Sequence, residues 1–140
     1  MKEYPADEAS REEVAIRSSG DVVKARQTVR VLAQQANLSL VNQTKLVTAA
    51  SELGRNTLIY GGGGTADAVI VRDMARVGVR VSFSDTGPGI PDIEQALTDG
   101  WTSGSGMGLG LSGARRLVDE FELDSAPGAG TTVTVLKWAR

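Results

Sequence analysis

Glu52 and Asn56 stand four residues apart in "SELGRN", residues 51–56. On a helix that interval leaves the two side chains about 40° apart. They fall at the edge of an apolar stripe, next to Ala49. A carboxylate and a carboxamide so placed suit a general base beside a Mg2+ ligand; taken alone, the pair more simply suits a solvated helix face. Asp85 closes "VGVRVSFSD", in phase with Val77, Val79, Val81 and Phe83. Strand side chains repeat every two residues, so this carboxylate shares the apolar face. Burying it without donors would be costly. The donors come either from a ligand or from an Asx turn of its own chain, and Gly87 and Gly89 leave room beside it. The third candidate is "WTSGSGMGLGLSGARRL", residues 101–117, with five glycines from Gly104 to Gly113. Successive glycines let a backbone approach a ligand closely. A helix follows, and its free N–H groups and positive dipole end favour an anion. The run suits a loop that wraps a phosphate. A plain flexible linker is the other reading, but it does not need the apolar anchors Met107, Leu109 and Leu111.

Within that run, "GLGLSG" fits G-x-G-x-x-G. A dinucleotide-binding turn also needs a buried strand just before the glycines and an acidic residue about 20 positions later on a second parallel strand. Here a polar stretch, "DGWTSGSGM", precedes Gly108, and Glu120, Glu122 and Asp124 are expected at a helix end and on a short hairpin strand. No G-x-x-x-x-G-K-[ST] loop occurs.

Composition narrows the chemistry further. The 140 residues contain no histidine and no cysteine. Histidine acid–base catalysis, Ser-His-Asp triads, thiolate chemistry, disulfides and structural zinc sites are thereby excluded. Carboxylates, hydroxyls, amides, Lys, Arg and backbone N–H groups remain. Net charge is −2 without a dense basic cluster, so nucleic acid is not an expected partner. No run approaches the 18 or so apolar residues of a membrane span. "MKEYPADEASREE" is too polar for a secretory signal. A soluble, cytoplasmic protein with no membrane contact is expected.

The elements that must hold these residues can be read from periodicity. Residues 1–12 are expected to be a flexible polar leader, and 13–140 a single domain. "EVAIRSS", residues 13–19, reads as a first strand. Asp21 is a candidate N-cap for a helix carrying Val22, Ala25, Val29, Leu32 and Ala33. A second helix is expected from about Val41 to Tyr60, stopped by "GGGG" at 61–64. Two strands follow, "ADAVIVRDM" and "VGVRVSFSD", then the glycine loop and a helix from Gly110 to Phe121. "ELDS", "APGAG" and "TTVTVLKW" form a closing hairpin. The order β-α-α-β-β-loop-α-β-β predicts an α+β two-layer sandwich with a mixed or mostly antiparallel sheet and helices on one face.

Taken in order, these boxes resemble those of the GHKL (Bergerat-fold) ATPases. "SELGRN" is similar to the family's N box, "DTGPG" (85–89) to its G1 box, "GSGMGLGL" (104–111) to its G2 box, and "GTTVTV" (130–135) to its closing strand. "DTGPGIPDIEQAL", "DEFELDS" and "KWAR" further resemble the RsbT-type stressosome switch serine/threonine kinases, relatives of the anti-sigma-factor kinases.

The resemblance implies ATP/ADP and Mg2+ as ligands. It implies that Asp85 bonds the adenine amino group, that Gly87 and Gly89 let the nucleotide lie close, and that Asn56 binds Mg2+. Glu52 would be the catalytic base. Gly104, Ser105, Gly106, Met107, Gly108, Leu109, Gly110 and Leu111 would wrap the phosphates, and Thr131 would support Asp85. It implies a protein kinase that phosphorylates a STAS-domain antagonist or scaffold and, when released, activates a PP2C-type phosphatase. The alternative is a nucleotide-binding module that holds a sigma factor or another partner without needing phosphoryl transfer. The segment between the G1 and G2 boxes leaves little room for a long lid. Arg55 has two readings, a phosphate or partner contact and a plain surface arginine. Oligomeric state stays open.

Overall fold

The computed structural model describes residues 1–90, 97 and 110–140. The described elements are β1 (Ala6–Ile16), α1 (Ser19–Gln35), α2 (Leu40–Ile59), β2 (Gly64–Asp73), β3 (Arg76–Asp85), α3 (Gly110–Arg116), β4 (Glu120–Ser125) and β5 (Thr131–Trp138). The strands form one sheet in the order β1-β2-β3-β5-β4. Each of these four pairings is antiparallel, so no parallel pair breaks the ladder among the described residues. The fold is the expected α+β two-layer arrangement, with the helices against one sheet face.

Helix starts follow local hydrogen-bonding chemistry. Ser18, not Asp21, caps α1: its Oγ accepts from the Asp21 N–H at 3.3 Å, while Asp21 Oδ2 accepts from the Arg17 N–H at 2.9 Å. A serine and an aspartate three residues on thus satisfy orphan donors together. Ser39 caps α2 by accepting from Asn42 N–H at 3.1 Å. At the other end the Tyr60 and Gly61 N–H groups both donate to the Asn56 carbonyl.

The core lies between the helices and the inner sheet face. Val29, Leu32, Leu46 and Leu53 of the helices meet Ile16, Val79, Val81, Phe83 and Val135 of the strands, all 3% exposed or less. Each fully buried side chain of this size contributes about 1.5–3 kcal/mol. The apolar alternation of β3 makes its inner face, and that alternation carries Asp85 to the same face at the strand's end.

Two expectations are corrected. The first strand begins at Ala6, so residues 6–12 belong to the sheet rather than to a polar leader. A register shift between Asp7 and Glu12 breaks the alternation that would have revealed it. Within this irregularity Arg11 Nη1 pairs with Asp67 Oδ2 at 2.6 Å. Before it, Tyr4 lies buried on the outer sheet face, edge-on to Trp138 with ring centroids 5.0 Å apart, and its hydroxyl donates to Glu120 at 2.7 Å. The last helix stops at Arg116 rather than Phe121. Phe121 and Leu123 point into the core on alternate positions of β4, and pairing with β5 outweighs another turn of helix.

Candidate nucleotide site

The C-terminal half of α2, the end of β3 and the β4–β5 turn converge at one end of the sheet. Glu52 and Asn56 lie one helical turn apart on α2. The Glu52 side chain is only 12% exposed, and its Oε1 stands 3.7 Å from Arg55 Nη1. Glu52 Oε2 and Asn56 Oδ1 are both buried, and neither has a hydrogen-bond partner among the described residues. Buried polar atoms in folded proteins are nearly always paired, and leaving one unpaired costs about 1–3 kcal/mol. Two such oxygens on adjacent turns are acceptors left available to a ligand. Both are oxygen acceptors, the donor type a hard cation such as Mg2+ takes. No group of three Asp or Glu surrounds them among the described residues.

Asp85 is half-buried at the end of β3. Its Oδ1 accepts from the Gly87 N–H at 2.9 Å. That is the Asx turn the sequence left open, and it engages one carboxylate oxygen. Oδ2 faces Gly61, where an added Cβ would lie 2.5 Å from it. A Cβ on Gly87 would meet the Gly61 backbone at 2.8 Å. The α2 terminus and the turn after β3 thus approach so closely that side chains are excluded between them. Gly89 has φ +78, and a Cβ there would run into the Ala126 carbonyl.

The turn is fixed from behind. Ser125 Oγ accepts from Ile90 N–H at 2.8 Å, donates to the Gly130 carbonyl at 3.0 Å and sits 2.8 Å from Thr131 Oγ1. Gly128 N–H donates to the Pro88 carbonyl at 2.7 Å. Thr131 is the register partner of Asp85 across β3 and β5, but its hydroxyl bonds to Ser125. Gly110, at φ +65, opens α3, and Leu111 packs at 8% exposure into the core. Gly104, Ser105, Gly106, Met107, Gly108 and Leu109 lie outside the described residues.

The structure therefore brings Glu52, Asn56, Asp85, Gly87, Gly89 and Thr131 to one end of the sheet. The sequence reading missed Gly61 and Ser125. "GGGG" read only as a helix stop, although a glycine run abutting a candidate site is also the signature of close backbone approach. Gly61→Ala is expected to push Asp85 aside and lower ADP affinity about tenfold, a difference of roughly 1.4 kcal/mol. Titration calorimetry reads this directly, and an unchanged affinity would remove Gly61 from the pocket.

A family model described as histidine kinase-, DNA gyrase B-, and HSP90-like ATPase matches residues 41–139. The serine/threonine-protein kinase RsbT of Bacillus subtilis (strain 168) is 41% identical over 127 residues, which is 91% of this chain and 96% of that protein. The anti-sigma F factor of Pasteuria penetrans is 30% identical over 119 residues, 81% of this chain and 79% of its own length. Among solved structures, the RsbU and RsbW domains of a Mycobacterium tuberculosis protein superpose with a TM-score of 0.64 at 19% identity. They match 91% of this chain and 32% of that one, a likeness of fold alone. With the orphaned oxygens on α2, the glycine-walled Asp85 and a matching model over residues 41–139, the chain belongs to the histidine kinase-, DNA gyrase B-, and HSP90-like ATPase family.

Proposed function

We propose that this protein, a serine/threonine kinase of the ATPase family, transfers the γ-phosphoryl group of ATP to a serine or threonine of a STAS-domain antagonist. The reading extends to a bacterial stress-signalling module, in which the released kinase activates a PP2C-type phosphatase. The observation that carries it is the pair of buried, unpartnered oxygens on Glu52 and Asn56.

Asp85 would receive the adenine amino group on Oδ2 while Oδ1 keeps the turn. Gly61, Gly87 and Gly89 let the neighbouring backbone close around Asp85 and fix its carboxylate. Asn56 Oδ1 would hold Mg2+, which would supply positive charge to offset that of the phosphates. Glu52 accepts the proton of the attacking hydroxyl as its oxygen bonds to the γ-phosphorus and the bond to the ADP oxygen breaks. Phosphoryl transfer rests on positioning and charge more than on covalent chemistry. A carboxylate base and an amide one turn apart supply both on a rigid helix.

The similarity to an anti-sigma F factor favours a second reading, in which the protein holds a partner and transfer is secondary. Incubation with Mg-ATP and a STAS-domain partner separates the two. Phosphoserine or phosphothreonine on the partner is the expected product. Nucleotide binding with no phosphorylated partner would leave only the second reading standing.

A further inference from the structure

A groove of about 510 Å3 runs between α1 and α2, lined by Arg26 and Arg30 on one side and Thr48, Ser51 and Glu52 on the other. Glu52 belongs both to this groove and to the nucleotide site. Around the axis of α2, Asn56 lies about 40° to one side of Glu52, while Arg55 lies about 60° to the other, the side of Thr48 and Ser51. A hydroxyl approaching through the groove would meet the Glu52 carboxylate from the side opposite Asn56.

The groove carries unbalanced charge. Arg26 and Arg30 make no ion pair with any described residue, and Arg55 is 46% exposed. Its 3.7 Å distance to Glu52 is well beyond the 2.7–2.9 Å or so of a charge-assisted hydrogen bond. Such a loose pair contributes little, and the planar guanidinium keeps a fork of donors suited to a carboxylate. Two arginines thus line the groove with Glu52, and a third, Arg55, stands beside the same carboxylate on α2.

We propose that this groove seats the phosphoacceptor segment of the protein substrate, that it selects a serine or threonine with an acidic neighbour, and that Arg55 is the specificity-determining residue. Arg55 pairs with Glu52 in the unengaged protein. When the acidic neighbour enters, the guanidinium turns to that carboxylate and holds the hydroxyl beside Glu52. The inference rests on the kinase reading for the identity of the base.

The test uses two fluorescein-labelled peptides, a serine flanked by glutamates and the same peptide with glutamines. Each is titrated by anisotropy onto the ADP-loaded wild type, Arg55→Ala and Arg55→Lys. The wild type is expected to bind the acidic peptide at least about tenfold more tightly. Arg55→Ala should bring the two within about twofold, and Arg55→Lys should restore much of the preference. ADP affinity should be the same in all three proteins. Equal binding of both peptides by the wild type, or no binding of either, overturns the proposal, as does a full preference in Arg55→Ala. Because binding is read rather than phosphorylation, a protein that prefers the acidic peptide yet transfers no phosphate would sink the kinase reading while leaving the groove's selectivity intact.

Discussion

Asp85→Asn is expected to lower ADP affinity about 100-fold while leaving the fold unchanged. The two carboxylate oxygens have separate partners, and that makes the substitution informative. Oδ1 accepts from Gly87 N–H at 2.9 Å, and the carbonyl oxygen of an asparagine can keep that bond. Oδ2, the oxygen facing Gly61, becomes an NH2 group. A donor would then oppose the adenine amino donor. Loss of a charge-assisted hydrogen bond with an unpaired donor left behind costs about 3 kcal/mol, which is about a factor of 100 in affinity. Calorimetric titration of ADP gives the affinity, and a denaturant midpoint close to that of wild type shows that the turn survived. Unchanged ADP binding would mean that Asp85 serves only its Asx turn. A large fall in stability would mean that the turn needs both oxygens.

Both halves of that argument were partly visible in the sequence. Period-two alternation from Val77 to Phe83 placed Asp85 on the inner face, and β3 is built that way. Both purposes proposed for a core-facing carboxylate, an Asx turn and a ligand contact, have an oxygen available. The helical interval from Glu52 to Asn56 was also legible, because 3.6-residue periodicity is a local property. Their burial without partners was not, since it depends on what packs over α2 from elsewhere in the chain. Gly61 shows the same limit. Locally it is a helix terminator, and only the approach of the turn after β3 gives its missing side chain a second purpose. The first strand was read late because its register shift removes the alternation over residues 7–12. Tyr4 pairs with Glu120, and Arg11, besides its local pair with Glu8, reaches Asp67, both more than 50 positions away and beyond any local window. Ser125 was passed over for a similar reason: a serine ending a strand is unremarkable until Ile90, Gly130 and Thr131 arrive around it.

Glu52→Ala is expected to separate the three properties that a merely structural carboxylate would lose together. Phosphoryl transfer should fall about 1,000-fold, within the range a positioned general base supplies and equivalent to about 4 kcal/mol of transition-state stabilisation. ADP affinity should stay within about threefold of wild type, because Asp85 and the glycines around it are untouched. Stability should hold or rise, by up to about 1 kcal/mol. Glu52 Oε2 is buried without a partner among the described residues, so the folded state already bears the cost of desolvating it. Its remaining partner, Arg55 at 3.7 Å and 46% exposed, returns little. Such a result would fit a catalytic base, since stability is commonly given up where function needs a strained group. Single-turnover transfer to a STAS-domain partner, ADP calorimetry and thermal unfolding of the same preparation read the three effects. Normal transfer would remove Glu52 as the base. A drop in unfolding midpoint of several degrees would make its carboxylate structural. Full partner capture by the variant, with transfer abolished, would show that holding a partner and phosphorylating it are separable in this fold. The groove beside α1 would then recognise the substrate whether or not Glu52 can act on it.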